Sequence, residues 1–176
     1  MSVFSWLSWV LPLVDSFGIA SKKKINPLAQ LSINLFGYPN PLAKSRGEKN
    51  NNLGNIKRSN SNNWRGRSNS KTGKESTFEQ FFSYEYGLRA MIITLLNYQK
   101  LHNIKNIRGI IERYAPKSEN DTEQYIEFVE AQTGIPDTKN FSFTPESLEP
   151  IVKAMVKMES NFNVSKKLYN NAVSLI

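Results

Sequence analysis

Apolar side chains recur at three- and four-residue spacing through the second half of the chain, and this pattern predicts helices. Leu88, Met91, Ile92, Leu95 and Leu96 put one apolar face on a helix over about 84–101. Ile107, Ile110, Ile111 and Tyr114 do the same over about 104–114, and Pro116 stops that helix. Asn120 or Asp121 caps a third over about 121–132, with Tyr125, Ile126 and Val129 inside and Gly134 as its stop. Thr144-Pro145-Glu146 reads as a helix start: a cap, a proline at the first helical position, then an acid at the positive end of the dipole. That helix carries Leu148, Ile151, Val152, Met155 and Val156 to about 159, and Pro150 is where it kinks or restarts. Leu168, Tyr169, Ala172 and Val173 mark a last helix over about 165–175.

The first half follows other patterns. Residues 57–76 are rich in Ser, Asn, Lys, Arg and Gly, which cannot bury a core and predict a loop or weak hairpin around Trp64. Gly54-Asn55 carries turn chemistry, and residues 55–58 and 78–82 are short strand candidates beside it. The fold class expected is therefore α+β, predominantly α-helical, with a small β-element. At the start, residues 3–14 are mostly apolar, with Phe4, Trp6, Leu7, Trp9, Val10 and Leu11, then Asp15, then Lys22, Lys23 and Lys24. A bilayer span needs about 20 apolar residues; this run is shorter and contains Pro12. The lysines follow the apolar run, the reverse of a secretory signal peptide. Tryptophans suit a headgroup boundary, and three lysines suit anionic lipid. Residues 1–24 thus read as a membrane-associating segment, 25–45 with three prolines as a linker, and 46–176 as the folded domain. A helix that docks on a partner protein or on the chain's own core is the alternative for the first segment.

Charge sharpens this division. The net charge is +8, yet residues 1–74 hold 12 Lys/Arg against 2 acids, and the remainder is slightly acidic. The basic half calls for an anionic partner: membrane, cell wall or nucleic acid. Arg58, Arg65, Arg67, Lys71 and Lys74 around Trp64 are the cations a nucleic acid would meet. With no cysteine, thiol catalysis, Cys–zinc sites and disulfides are excluded. One histidine, His102, cannot build a multi-His metal site, and it reads as a helix-end residue. No acid cluster has metal-ligand spacing, and no P-loop or dinucleotide turn is present, so neither a metal nor a cofactor is expected. Carboxyl chemistry remains, in which a glutamic acid of raised pKa delivers a proton to a leaving oxygen.

Several short motifs occur in a fixed order: Asn50-Asn51-Asn52-Leu53-Gly54-Asn55-Ile56, Trp64-Arg65-Gly66, Phe78-Glu79-Gln80-Phe81, Glu85-Tyr86-Gly87-Leu88-Arg89-Ala90-Met91, and Arg113-Tyr114-Ala115-Pro116 followed by Ser118-Glu119-Asn120-Asp121-Thr122. This order resembles a family of small phage proteins that are similar to lysozyme-like peptidoglycan-cleaving enzymes, among them lytic transglycosylases and glucosaminidases. The resemblance spans residues 46–159, with Leu53 where the pattern has proline. It implies a lysozyme-like domain, a virion-associated lytic transglycosylase or muramidase acting at the bacterial cell wall, and one essential Glu at the junction of a helix and the β-region.

Glu48 is the first candidate for that acid. It is the only acid between residues 16 and 74, and it precedes the Asn-rich turn, as the catalytic Glu does in the resembling glucosaminidases. The bland alternative is an exposed carboxylate paired with Arg46 or Lys49. Glu85 between Tyr84 and Tyr86 is the second: aromatic burial raises its pKa, whereas a plain helix N-terminal role lowers it. Glu119 is the third, set against a structural role at a helix start. Asn51, Asn52 and Asn55 offer donors and acceptors to N-acetyl and hydroxyl groups, and Trp64, Tyr84 and Tyr86 offer faces for sugar rings; turn formation and core packing are the alternatives. The partners expected are peptidoglycan, anionic lipid and other virion proteins, with a non-catalytic virion protein or a nucleic-acid-binding one as rival readings. The full-length chain should bind anionic liposomes at low salt and lose that binding when residues 1–24 are removed. Failure of the full-length chain to float with anionic liposomes at low salt would point to docking on a partner protein.

Overall fold

The structure, a computed structural model, describes residues 44–68 and 77–176. The membrane-associating segment 1–24, nearly all of the 25–45 linker, and Lys71 and Lys74 lie outside the described residues. What is described is predominantly α-helical. The helices are α1 (Arg46–Lys49), α2 (Tyr84–His102), α3 (Ile107–Tyr114), α4 (Thr122–Thr133), α5 (Pro145–Ser160) and α6 (Lys166–Val173).

The caps explain the boundaries. Asn106, Asp121, Thr144 and Ser165 each accept a first-turn backbone N–H at the start of α3 to α6. Asn103, Gly134 and Asn161 end α2, α4 and α5 in the left-handed conformation. Helix α5 continues through Pro150, so it does not restart there. The apolar side of α5 is buried, and its packing outweighs the backbone bond the proline forfeits. Helix α2 packs on α5 and α6, α4 packs on α3 and α5, and α1 rests on α5. Leu88, Met91, Leu95, Ile111, Val152 and Met155 are completely buried where these faces meet.

The β-element is smaller than the sequence implies. Among the described residues, the 55–58 and 78–82 segments share one isolated antiparallel bridge, Lys57 with Phe78, and a second joins Arg67 to Phe81. Side chains replace the ladder. Asn52 Nδ2 donates to the Ile56 and Glu79 carbonyls at 3.0 and 2.9 Å, and its Oδ1 accepts from Ile56 N at 2.9 Å. The Glu79 carboxylate, almost fully buried, is ion-paired with Arg67 and accepts from Ser59 N at 3.2 Å.

Two glycines let the turn approach the helices. A Cβ on Gly87 would stand 1.9 Å from the Asn51 carbonyl oxygen, and one on Gly47 would stand 2.0 Å from Ser160 Oγ. In an exposed helix, Gly→Ala stabilises by about 1 kcal/mol. Gly87→Ala should instead destabilise by about 1–3 kcal/mol, because the obstructing atom is backbone and the turn must shift. A urea titration monitored by circular dichroism checks this; a raised midpoint would show that the turn yields freely.

Candidate functional site

The apolar stripe of α5 ends on a carboxylate. Val152, Met155 and Val156 lead by three- and four-residue steps to Glu159, one residue before the helix ends. The helix therefore delivers this acid onto the face that its neighbours cover. Glu159 Oε1 accepts from Tyr125 Oη at 3.2 Å, and Oε2 accepts from Asn55 Nδ2 at 3.0 Å. The same Asn55 amide donates to the Glu159 main-chain oxygen at 3.1 Å. Asn55 reaches this position because it adopts the left-handed conformation, φ 50°, where the Asn52 turn ends.

Glu159 lines a cleft of about 380 Å³. Arg46, Asn55 and Phe78 contribute from the first half of the chain, Tyr98 from α2, and Arg113 and Tyr114 from α3. Burial pushes the Glu159 carboxyl above the usual carboxylate range, while the Asn55 and Tyr125 hydrogen bonds and the Arg46 charge pull the other way. Its place in the last turn of a helix, at the negative end of the dipole, also disfavours the anion. The Tyr114 and Tyr125 phenols are held well above their usual value, first by burial and then by the neighbouring Glu159 charge. Tyr114 Oη donates to the Gly54 carbonyl, which ties α3 to the turn. The arrangement places a protonatable carboxyl, steered by two donors, in a concave site with cationic walls.

The expected site residues separate into groups. Asn55 and Glu119 line the cleft, and Glu119 is ion-paired with Lys57. Glu48 does not line it. Its carboxylate accepts from the Ser45 and Lys44 backbone at 2.9 and 3.0 Å, closing a capping box on α1 with Ser45. An acid isolated in a basic segment thus has a local structural task. Glu85 lies in the first turn of α2, where the dipole suits an anion. Asn51 donates to the Phe81 carbonyl at 2.9 Å and Asn52 is fully buried, so both build the turn behind the cleft. Trp64, Tyr84 and Tyr86 pack against the core and are not in the cleft lining. Tyr84 lies 5.2 Å from Phe162, and Gly66 rides over the Tyr86 ring. Arg67 is taken by Glu79, and Arg65 donates to the Leu175 carbonyl. His102 is exposed at the end of α2. Among the described residues no His, Asp or Glu cluster could hold a metal, and no helix is long and apolar enough to cross a membrane.

Sequence reasoning missed Glu159. The signal was available: an acid continuing an apolar stripe, in the final turn where the dipole opposes it.

Fold and site define a mostly helical domain with a glutamate-bearing cleft, and the chain is a member of a bacteriophage family. It is 37% identical over 119 residues to Protein P5 of Pseudoalteromonas phage PM2, which covers 68% of this chain and 73% of that protein, and it belongs to that protein's family. No protein-family model matches the chain.

The raised Glu159 value has a consequence for stability. Its folded pKa lies above its unfolded one, so the favourable contribution is complete below the usual carboxylate range and is lost as pH rises through the folded value. Glu159→Gln cannot ionise and should escape that loss. Melting curves across pH should coincide for the two proteins in acid, and the variant should melt higher at neutral pH. Parallel curves throughout would mean that Glu159 ionises as an exposed carboxylate does.

Proposed function

We propose that the chain cleaves the glycan backbone of peptidoglycan, as a lytic transglycosylase or muramidase, with Glu159 as its general acid and base. One observation carries this reading: a half-buried carboxyl, held by Asn55 and Tyr125 and raised in pKa by desolvation, stands at the wall of an open cleft where a helix end meets the Asn-rich turn. The resembling lysozyme-like enzymes keep their essential Glu at the junction of a helix and the β-region, and the turn here leads into the bridged segments at Lys57 and Phe78. The motifs behind the resemblance converge there as well, since Asn55 and Ile56, Arg113 to Pro116, and Glu119 and Asn120 all line the cleft.

The chemistry follows from the proton on Glu159. The acid gives it to the glycosidic oxygen, the bond from that oxygen to the anomeric carbon breaks, and the resulting carboxylate faces the positive charge on the sugar ring. It then takes a proton from the incoming nucleophile, which is water in hydrolysis or the sugar's own 6-hydroxyl in transglycosylation. Asn55 and Tyr125 hold the carboxylate in place through both steps. A second carboxylate is not required for ring closure. The apolar and lysine-rich residues 1–24 support tethering to an anionic membrane, and the phage relative supports a virion location.

The purified chain should release soluble fragments from peptidoglycan, and Glu159→Gln should reduce release by about two to four orders of magnitude with the fold intact. Glu48→Gln should keep most of the activity. Release should also fall as pH rises through the raised Glu159 value, because the acid form is consumed. Mass spectrometry separates the mechanisms: an anhydro-muramic end means transglycosylation, a reducing end hydrolysis. A well-folded chain without release would favour a non-catalytic virion protein.

A further inference from the structure

The cleft walls carry two arginines that lie over aromatic rings. The Arg46 guanidinium carbon lies 3.7 Å from the Phe78 ring centroid, and that of Arg113 lies 5.2 Å from the Tyr98 centroid. All four residues line the cleft that holds Glu159. A cation–π contact restrains a guanidinium over the ring, and its N–H donors can still meet an acceptor. Among the described residues neither forms a salt bridge, whereas Arg67, Arg108 and Lys57 each do. Arg46 keeps one long hydrogen bond, from Nε to Asn55 Oδ1 at 3.4 Å.

From these two arginines we infer that the cleft selects an acidic amino-sugar chain, with Arg46 and Arg113 receiving a carboxylate that the saccharide carries. The inference deepens the reading of the site as glycan-cleaving and rests on it for the saccharide. A carboxylate against a guanidinium gains a charge-assisted, two-point contact. Because the arginines are already positioned, little ordering entropy opposes binding. Two sources can supply the anion: the free lactyl carboxylate of an N-acetylmuramic residue, or a carboxylate of the peptide attached to it.

The test is binding to the full chain carrying Glu159→Gln, read by calorimetry, so that cleavage plays no part. Three tetrasaccharides serve as probes: neutral chitotetraose, a peptide-free fragment with free lactyl groups, and the same fragment with its peptides. At least one acidic probe should bind about tenfold tighter than chitotetraose at low salt, and the margin should shrink as salt rises. The tighter of the two acidic probes identifies the carboxylate. Adding Arg113→Gln should erase the margin and leave chitotetraose affinity as it was. Equal affinity for all three probes overturns the inference, as does a margin that Arg113→Gln and Arg46→Gln both leave intact. Binding of none overturns it too. Activity of the parent chain is scored separately: fragment release with equal affinities sinks only the selectivity, and selectivity without release sinks only the catalytic reading.

Discussion

The side-chain amide of Asn52 is the contact on which the site depends. It is completely buried, and its three hydrogen bonds join Ile56 and Glu79, two backbone segments that share almost no ladder of their own. A buried amide left without partners costs about 1–3 kcal/mol per group, so each bond is a strong constraint on the turn's shape. The turn can adopt that shape only because Gly47 and Gly87 let it lie against α1 and α2. Once it closes, Asn55 falls into the left-handed conformation and its amide meets Glu159, 104 residues further along. The acid is therefore positioned by α5 from one side and by a folded turn from the other.

How much of this could be read in the sequence follows from the range of the forces involved. Helices α2 to α6 were legible because local periodicity and caps such as Thr144 and Asp121 act within a few residues. The turn at Gly54-Asn55 was legible for the same reason. The strands were not, since whether the 55–58 and 78–82 segments form a ladder depends on Asn52 bridging residues far apart in the chain. The short helix α1 escaped notice because four residues carry no period; only its Ser45–Glu48 capping box marks it. Glu48 stood out for its charge surroundings, yet charge isolation is satisfied by a cap as well as by a task. Glu159 was hidden by the opposite circumstance, an acid among ordinary helix-end polar residues. Its position on the apolar stripe was the better guide.

The electrostatics of the cleft set burial against hydrogen bonding. Desolvation favours the protonated carboxyl of Glu159, while Asn55, Tyr125 and the charge of Arg46 favour the anion. A proton donor that becomes a base within one reaction needs both tendencies, since either alone would fix it in a single state. The contacts that locate the group are also those that moderate its acidity, so Asn55 cannot be exchanged without moving the carboxyl and changing its proton affinity together. In the proposed reaction, a saccharide filling the cleft would exclude water and shift the balance toward the acid form, when a proton is to be given. Charge developing on the sugar ring would then shift it back toward the carboxylate, when one is to be taken.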